Sequence, residues 1–289
     1  MPIFPITPNA PPNHLAQLDE LAQATFGIRF EAWRSAGWWT NDYIVYGWFD
    51  SDRLLACAGA YRMDLRVHGR PVQAIQIGTV ATRSEARGRG LSRQVLEHLL
   101  AQYPGAPSFL CANHSVLDFY PRFGYRKVAV QEMAVPLDLP SGDQQRLPTL
   151  LPAHQAIQRQ SLTRPAFSAC FDCANAAPVA AFHLLLEPEL RVHEIEALSA
   201  RIVTQQEGSS LHLLDVIVQQ PLAFTQLAPY LAFPNQEGAP TVRTVRLGFN
   251  ADWLGLAAPW QPPAEDPHLF VRGSLDLPEP LTLPDLLIT

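Results

Sequence analysis

A short basic segment of the sequence carries glycines at a spacing suited to phosphate. Residues 83–93 read RSEARGRGLSR and precede an apolar repeat with helical spacing. Gly88 and Gly90 let the backbone turn tightly, so that successive N–H groups can point at one anion. A helix beginning at about Leu91 would add its free N–H groups and the positive end of its dipole. The segment therefore predicts a pyrophosphate site, with a glycine-rich turn bearing solvated arginines as the alternative.

Two familiar phosphate-binding motifs do not fit this segment. No Lys-Ser/Thr pair follows the glycines, which excludes a P-loop, and GRGLSR departs from the G-x-G-x-x-G of dinucleotide-binding folds. Arginines nevertheless raise the local positive charge: Arg83, Arg87, Arg89 and Arg93. Together with the amides of the loop, they favour binding of an anion.

The elements around the loop indicate how it is positioned. Residues 43–82 read as strands separated by turn signals at 50–52 and 68–71, which predicts an antiparallel meander. Residues 91–100 have apolar side chains at helical spacing, and SFLCAN at 108–113 follows as a short strand. The order strand, glycine-rich loop, helix, strand is a βαβ crossover. It makes the two strands parallel and places the loop at the C-terminal end of the first.

Shorter patterns complete the first half of the chain. Three leucines at spacing three predict an amphipathic helix that ends at Gly27, and a second short helix is expected to end at Gly37. Residues 115–125, SVLDFYPRFGY, predict a short helix, and residues 125–137, YRKVAVQEMAVPL, predict a strand.

With these elements in order, residues 15–136 resemble the GNAT superfamily of acetyl-CoA-dependent N-acetyltransferases. The acyl-CoA loop of that family is written R/Q-x-x-G-x-G/A, and residues 87–92 carry it as RGRGLS. Ser92 stands where glycine or alanine is usual, but serine is small and can donate a hydrogen bond to phosphate. A second signature is an asparagine followed seven residues later by a tyrosine in an F-Y-x-x-x-G-F/Y ending. It consists here of Asn113, Phe119, Tyr120, Phe123, Gly124 and Tyr125.

The resemblance implies an α+β fold, in which a mixed and mostly antiparallel central sheet is flanked by helices. It also implies acetyl-CoA as cosubstrate and no metal. In the family the two central strands splay apart, and the pantetheine arm binds along the first of them as an added strand would. Carried over to this sequence, the cofactor-binding residues are Val80, Ala81, Thr82, Arg87, Gly88, Arg89, Gly90, Leu91, Ser92, Asn113, Phe119 and Tyr120.

By the same resemblance, Tyr120 is the general acid for the leaving thiolate, and the backbone N–H of Val80 stabilises the oxyanion. A tyrosine in a helix with no catalytic role is the alternative. Asn113 would bind an amide of the cofactor or an ordered water. The general base stays open between deprotonation through water and four carboxylates: Asp42, Asp64, Glu85 and Asp118.

The cysteines and aromatic residues each allow two interpretations. Cys111 could carry the acetyl group covalently, although a cysteine in an apolar strand is usually inert core. Cys170 and Cys173 form a C-x-x-C, but no second pair completes a zinc site. The first helices and the meander supply aromatic residues that form either walls of the acceptor site or part of the core: Phe26, Phe30, Trp33, Trp38, Trp39 and Tyr43.

The second half of the chain has no acyl-CoA signature. A polar, Pro/Gly-rich stretch predicts a linker at 139–152, between an acetyltransferase domain at 1–138 and a second α+β domain at 153–289. Within the latter, residues 167–198 read as strand-like and 210–218 as a strand.

Two short repeated sequence matches support a degenerate second GNAT-like domain. Phe49-Asp50 recurs as Phe171-Asp172, and LRVH occurs at 65–68 and again at 190–193. The alternative is an unrelated α+β domain that covers the acceptor groove or mediates dimerisation.

Composition excludes several classes of protein. An apolar content of 47% is too high for a disordered chain, and a net charge of −6 argues against nucleic acid or anionic membrane as partner. No apolar run approaches the roughly 18 residues of a membrane span, the start lacks the pattern of a signal peptide, and four cysteines are too few for a disulfide scaffold. We therefore expect a cytoplasmic protein.

These observations predict an acetyl-CoA-dependent N-acetyltransferase that acts on a primary amine of a small molecule, by direct attack in a ternary complex. Two alternatives stay open. One is an acyl-CoA-binding regulatory or pseudo-enzyme module, and the other is a protein or peptide N-acetyltransferase. A homodimer is possible with any of these functions.

Overall fold

The computed structural model describes residues 3–137, 147–232, 240–256, 259–263 and 265–288. Within them the helices are α1 (Pro12–Phe26), α2 (Glu31–Ser35), α3 (Leu91–Gln102), α4 (Ala153–Ala156), α5 (Arg159–Leu162), α6 (Ala177–Leu186) and α7 (Phe224–Leu227). The strands are β1 (Ile3–Ile6), β2 (Tyr43–Asp50), β3 (Arg53–Val67), β4 (Arg70–Thr82), β5 (Ser108–Cys111), β6 (Arg126–Lys127), β7 (Glu132–Pro136), β8 (Thr149–Leu150), β9 (Phe171–Cys173), β10 (Arg191–Ile195), β11 (Ala200–Glu207), β12 (Ser210–Ile217), β13 (Thr244–Leu247), β14 (Trp260–Gln261) and β15 (Leu269–Arg272). Among the described residues, no helix combines the length and apolar character that a membrane span requires.

The strands form two sheets. The first sheet has the order β1-β2-β3-β4-β5-β15-β6, with β9 also pairing with β3, and the second has the order β8-β10-β11-β12-β13-β7-β14. Each described sheet is antiparallel except for one pair, β4 with β5 in the first and β12 with β13 in the second. The predicted α+β class, with a mixed and mostly antiparallel sheet flanked by helices, is confirmed.

The two sheets have the same topology, because the strands of the second take the places of those of the first in the two orders given above. In each sheet, one strand comes from the other part of the chain. β15 lies between β5 and β6, where Leu269 stands opposite Cys111 and Phe270 opposite Lys127. β7 lies between β13 and β14 in the second sheet. The domain boundaries at 1–138 and 153–289 stay a prediction, but neither sheet is built from one of these segments alone. Residues 139–146 of the predicted linker lie outside the described residues.

Helices cover both faces of the first sheet. α1 buries Leu18 and Leu21 against one face and ends at Gly27, whose φ of 76° is the left-handed conformation that glycine adopts without strain. α3 buries Val95 and Leu99 against the other face. The predicted meander, both N-terminal helices, α3 and the parallel crossover from β4 to β5 are all present.

Three segments differ from their sequence predictions. Residues 115–125 contribute to two short 3₁₀ turns rather than a helix, because Pro121 has no N–H to continue one. Residues 125–137 form two strands in different sheets, β6 and β7. Residues 177–186, read as strand-like, form α6. This helix is apolar on most sides, and such a segment resembles a buried strand by periodicity alone.

The two repeated sequence matches do not mark equivalent positions. LRVH at 65–68 lies in the middle strand of the first meander, whereas LRVH at 190–193 lies in the first strand of the second, β10. Asp172 of the other repeat lies in β9, which pairs with β3 instead of belonging to the second sheet. The likeness between the halves is therefore one of strand order, and these short matches do not carry it.

We predict that removing residues 265–289 prevents stable folding of the first sheet. Leu269, Phe270 and Val271 are all buried, and burial of each such side chain contributes about 1.5–3 kcal/mol, against a total stability of about 5–15 kcal/mol. Urea unfolding followed by tryptophan fluorescence should show no cooperative transition for residues 1–264. A synthetic peptide of residues 265–289 should restore it. A fragment that unfolds at the midpoint of the full chain would contradict this expectation.

Candidate active site

A gap opens in the first sheet between β4 and β5. The two strands pair only at Ile75 with Ser108 and at Gln76 with Phe109. Beyond Gln76, β4 continues to Thr82 while pairing with β3 on its other side. In the described part of the chain no strand pairs with this edge of β4. The splay expected from the resemblance is present, and it exposes the backbone around Val80.

A bulge marks β4 inside this gap. Thr79 and Val80 together stand opposite Ala58, because the register shifts between Cys57 and Gly59 of β3. Thr79 has a φ of 51°, which is unusual for a β-branched residue and costs about 1–3 kcal/mol of strain. The surrounding structure must therefore hold it.

Tyr43 stabilises the bulge by a contact with Thr79. Its buried hydroxyl lies 2.6 Å from the hydroxyl of Thr79, and the Cys57 thiol donates to the Thr79 carbonyl at 3.3 Å. A Cβ on Gly59 would overlap the Tyr43 hydroxyl, so glycine is required there for the tyrosine to reach Thr79. Burial raises the pKa of Tyr43, which keeps the hydroxyl protonated.

The glycine loop presents unpaired backbone N–H groups. Gly88 and Gly90 both have a φ of 75°, and Gly90 is the N-cap of α3. Among the described residues, the amides of 88–93 have no hydrogen-bond acceptor. Residues 87–90 are exposed, so these amides form an open cradle for an anion at the N-terminus of a twelve-residue helix.

Only two of the four predicted arginines are free of ion pairs in the described structure. Arg83 is held by Glu20, at 2.8 and 3.0 Å, and by the carbonyl of Leu54 at 2.7 Å. Arg93 pairs with Glu97 at 2.8 Å along α3. Arg83 therefore anchors β4 to α1, and the free positive charge comes from Arg87 and Arg89.

Ser92, which replaces the glycine or alanine of the family loop, has a structural role. Its hydroxyl contacts the hydroxyl of Thr82, which joins the first turn of α3 to the end of β4. The loop is thereby fixed relative to the open edge of β4.

Tyr120 lies in the apolar cluster beneath α3 and is 6% exposed. Its ring is surrounded by those of Phe119, Tyr125 and Phe270, at centroid distances of 5.2, 6.1 and 6.0 Å. The hydroxyl has no hydrogen-bond partner among the described residues. Burial raises the pKa of Tyr120 to about 12, so the phenol stays protonated at neutral pH and can act as a hydrogen-bond donor.

The predicted residues differ in how they surround this tyrosine. Val80 and Phe119 pack against the same apolar cluster that contains Tyr120. Asn113 is exposed, and its Oδ1 caps the following turn by accepting from the Ser115 amide at 3.0 Å and the Ser115 hydroxyl at 2.9 Å. Only its amide nitrogen is left for a ligand.

Sequence reasoning missed Gly59 and Phe270 as parts of this site, and it gave Tyr43 only as a wall of the acceptor site or part of the core. A glycine inside a strand often signals a close approach to it, so Gly59 offered a local clue. No local signal links Phe270 to Tyr120, because 150 residues separate them in the sequence.

The structure gives little support to the other predicted groups. Asp42 pairs with Arg62 at 2.8 Å, and Glu85 pairs with Arg53 at 2.5 Å. Burial raises the pKa of Cys111 to about 12, which disfavours a reactive thiolate. The described residues contain no group of three metal-ligating side chains, at Cys170 and Cys173 or elsewhere.

The aromatic residues form core rather than pocket walls, apart from the exposed Phe26. They pack against one another and against Phe182 of α6. The Trp33 indole donates to the Pro178 carbonyl at 2.7 Å and the Trp38 indole to the Ile157 carbonyl at 2.8 Å. These hydrogen bonds connect the N-terminal region to the second half of the chain. The buried residues are Phe30, Trp33, Trp38, Trp39 and Tyr43.

We predict that Gly59→Ala destabilises the protein by about 1–3 kcal/mol, because the new methyl group overlaps the Tyr43 side chain. Urea unfolding measures the loss. In a Tyr43→Leu background the same substitution should cost clearly less, because the hydroxyl is absent. Equal costs in the two backgrounds would show that the overlap is not the cause.

Comparison with known proteins gives a family match for part of the chain and a fold for most of it. Residues 14–128 match the family described as acetyltransferase (GNAT) domain, and no curated protein matches the sequence. GCN5-related N-acetyltransferases from Kribbella flavida and Anabaena variabilis are 15% and 14% identical, both with a TM-score of 0.55. Eis1 from Mycobacterium abscessus is 14% identical, with a TM-score of 0.53. Each alignment covers 93% of this chain, and 70%, 72% and 73% of the respective structures.

Proposed function

Because residues 14–128 match the acetyltransferase (GNAT) domain, we propose that the chain transfers an acetyl group from acetyl-CoA to a primary amine of a small molecule. The observation that carries this proposal is the presence of three features in one domain: the open edge of β4 at Val80, the free amides of 88–93, and the Tyr120 hydroxyl, which has no partner among the described residues.

The residues present fit acetyl-CoA. The amides of 88–93, with Arg87 and Arg89, would hold the pyrophosphate, while the backbone of 80–82 would bind the pantetheine arm along the unpaired edge of β4. When bound, the cosubstrate supplies an activated thioester. A phosphate group at the loop also benefits from the α3 dipole.

Catalysis is assigned to two groups of the chain. The N–H of Val80, held by the bulge, donates to the carbonyl oxygen as negative charge develops there. The amine nitrogen attacks the carbonyl carbon, the C–S bond breaks, and the amine proton leaves through water. Tyr120 donates to the leaving sulfur. With its pKa about 12, above the roughly 8.5 of an ordinary thiol, much of its effect comes from the donated hydrogen bond.

The second half is proposed to be a degenerate GNAT-like domain at 153–289. The second sheet, which takes β7 and β8 from outside this segment, repeats the strand order of the first, with the parallel pair β12 and β13 in the place of β4 and β5. Arg164 reaches Asp215 of β12 at 2.9 Å and Asp172 at 2.9 Å, and all three are largely buried. Asp215 lies beyond Leu213, the last residue of β12 that pairs with β13, at a position that corresponds to the open part of β4. No glycine-rich loop follows β12.

A screen of amines and peptides with acetyl-CoA, read out as release of free CoA, tests the proposal. Turnover on small primary amines supports it. Binding of acetyl-CoA without turnover on any amine would favour a regulatory module, and turnover on peptides alone would favour a protein acetyltransferase.

We predict that Tyr120→Phe lowers kcat by about 10²- to 10⁴-fold with little change in the KM for acetyl-CoA, because only the proton donor is removed. Steady-state kinetics of CoA release measure both constants. The matched control is Tyr125→Phe, which removes a hydroxyl bound to Ser108 at 2.8 Å in the same cluster. Full activity of Tyr120→Phe would exclude Tyr120 from the mechanism.

We further predict that Tyr43→Phe lowers kcat about tenfold or more, because the bulge that positions Val80 loses its support. The control is Tyr61→Phe, another buried tyrosine of this sheet, whose hydroxyl donates to the Asn175 carbonyl at 2.9 Å. Both variants should lose about 1 kcal/mol of stability, but only the first should lose turnover. Equal kcat values for Tyr43→Phe and Tyr61→Phe would count against the role of Tyr43.

A further inference from the structure

The chain segment that follows β15 joins the cores of the two sheets, and we call its residues 281–288 the strap. Leu287 is buried in the apolar cluster that contains Tyr43 and packs on the first sheet. Its neighbour Leu286 is buried in a different cluster, with Val203 of β11 in the second sheet. Any weakening of the strap therefore affects both cores at once.

The imidazole ring of His183, on α6, lies between the strap and the end of its own helix. Its Nε2 atom is 2.8 Å from the carbonyl oxygen of Ile288 in the strap. Its Nδ1 atom is 2.6 Å from Oε1 of Glu187, which follows one turn later. The side chain of His183 is only 17% exposed. Both ring nitrogens are thus occupied by protein oxygens, and one of these oxygens belongs to the strap.

Both oxygens that face the ring of His183 are hydrogen-bond acceptors. The carbonyl oxygen of Ile288 has no proton to give, and an ionised carboxylate such as that of Glu187 only accepts. Each ring nitrogen must therefore donate, and an imidazole donates from both nitrogens only in its cationic form. A neutral ring would point a lone pair at one of the two oxygens and lose that hydrogen bond.

The other charged groups around α6 do not contact His183. The helix packs closely against α2, α5 and the strap. The charged side chains of these three elements are Glu31, Arg34, Arg159 and Asp285. None of them forms a hydrogen bond or ion pair with His183 in the described structure, and Asp285 instead lies 2.9 Å from His212 of β12. Among the described residues, Glu187 is thus the charged side chain that His183 contacts.

We propose that His183 is an imidazolium in the folded protein and that it makes the strap a pH-sensitive contact between the two cores. When the pH rises and the ring loses a proton, the hydrogen bond to Ile288 or to Glu187 is lost. Histidine is the side chain whose charge changes near neutral pH. The folded chain then holds a proton that the unfolded chain releases, so stability falls as the pH rises. This inference is independent of the proposed function.

Glu187→Gln tests the proposal, because a glutamine amide can donate to a neutral ring while the other ring nitrogen donates to Ile288. Urea unfolding, followed by tryptophan fluorescence, gives the unfolding equilibrium constant as a function of pH. Between about pH 6 and about pH 9, this constant should rise at least about tenfold more in the wild type than in the variant. The remaining histidines titrate in both proteins, so the difference reports His183.

The matched control is His154→Gln. His154 of α4 is exposed and has no hydrogen bond or ion pair among the described residues. This variant should keep the pH dependence of the wild type. Parallel pH profiles of the wild type and Glu187→Gln would overturn the proposal.

Two measurements on the wild type locate the effect. Nitrogen NMR of the histidine rings at neutral pH should show both nitrogens of His183 protonated, its signals being assigned by their loss in His183→Gln. Hydrogen exchange, corrected for intrinsic rates, should show the protection of the strap amides falling several-fold more than that of β11 as the pH rises from acidic to alkaline. One unprotonated nitrogen on His183, or an equal loss of protection in both segments, would overturn the proposal.

Discussion

The first sheet depends on a strand that belongs to the other end of the chain. β15 satisfies backbone groups of both β5 and β6, and without it two short strands would have unpaired edges in the interior. The same strand places Phe270 against the ring of Tyr120. The strand that borders the gap between β4 and β5 and the ring of Tyr120 therefore share one support. This constraint gives the second half a structural role that is independent of any chemistry of its own.

A second feature is local and works by strain. Thr79 adopts a backbone conformation that is unfavourable for threonine, and Tyr43, Cys57 and Gly59 make that conformation tolerable. The tyrosine is buried and the glycine admits it, so the two residues act as a unit. Precise placement of the Val80 amide would then come from packing inside the sheet, away from the solvent-exposed loop that would bind the cofactor.

The sequence predicts those features whose causes are local. Glycines at 88 and 90, followed by an apolar helical repeat, suffice to predict the loop, α3 and the parallel crossover. The pairing of β15 with β5 could not be predicted, since no nearby residue encodes a contact across more than 150 positions. Arg83 is predicted to face an anion but pairs with Glu20 of α1. The spacing of residues around Arg83 gives no information about a partner on a distant helix. The buried tryptophans were ambiguous for the same reason.

The exchanged strands also set an order of events during synthesis. Residues 3–128 can begin to collapse early, but β5 waits for residues 269–272 and β7 waits for residues 244–247. At about 5–20 residues per second, a ribosome needs roughly seven to thirty seconds to deliver the missing strand. During that interval the chain exposes unpaired strand edges, which favour aggregation. The proposed active site therefore cannot be complete until residues 269–272 have been synthesised.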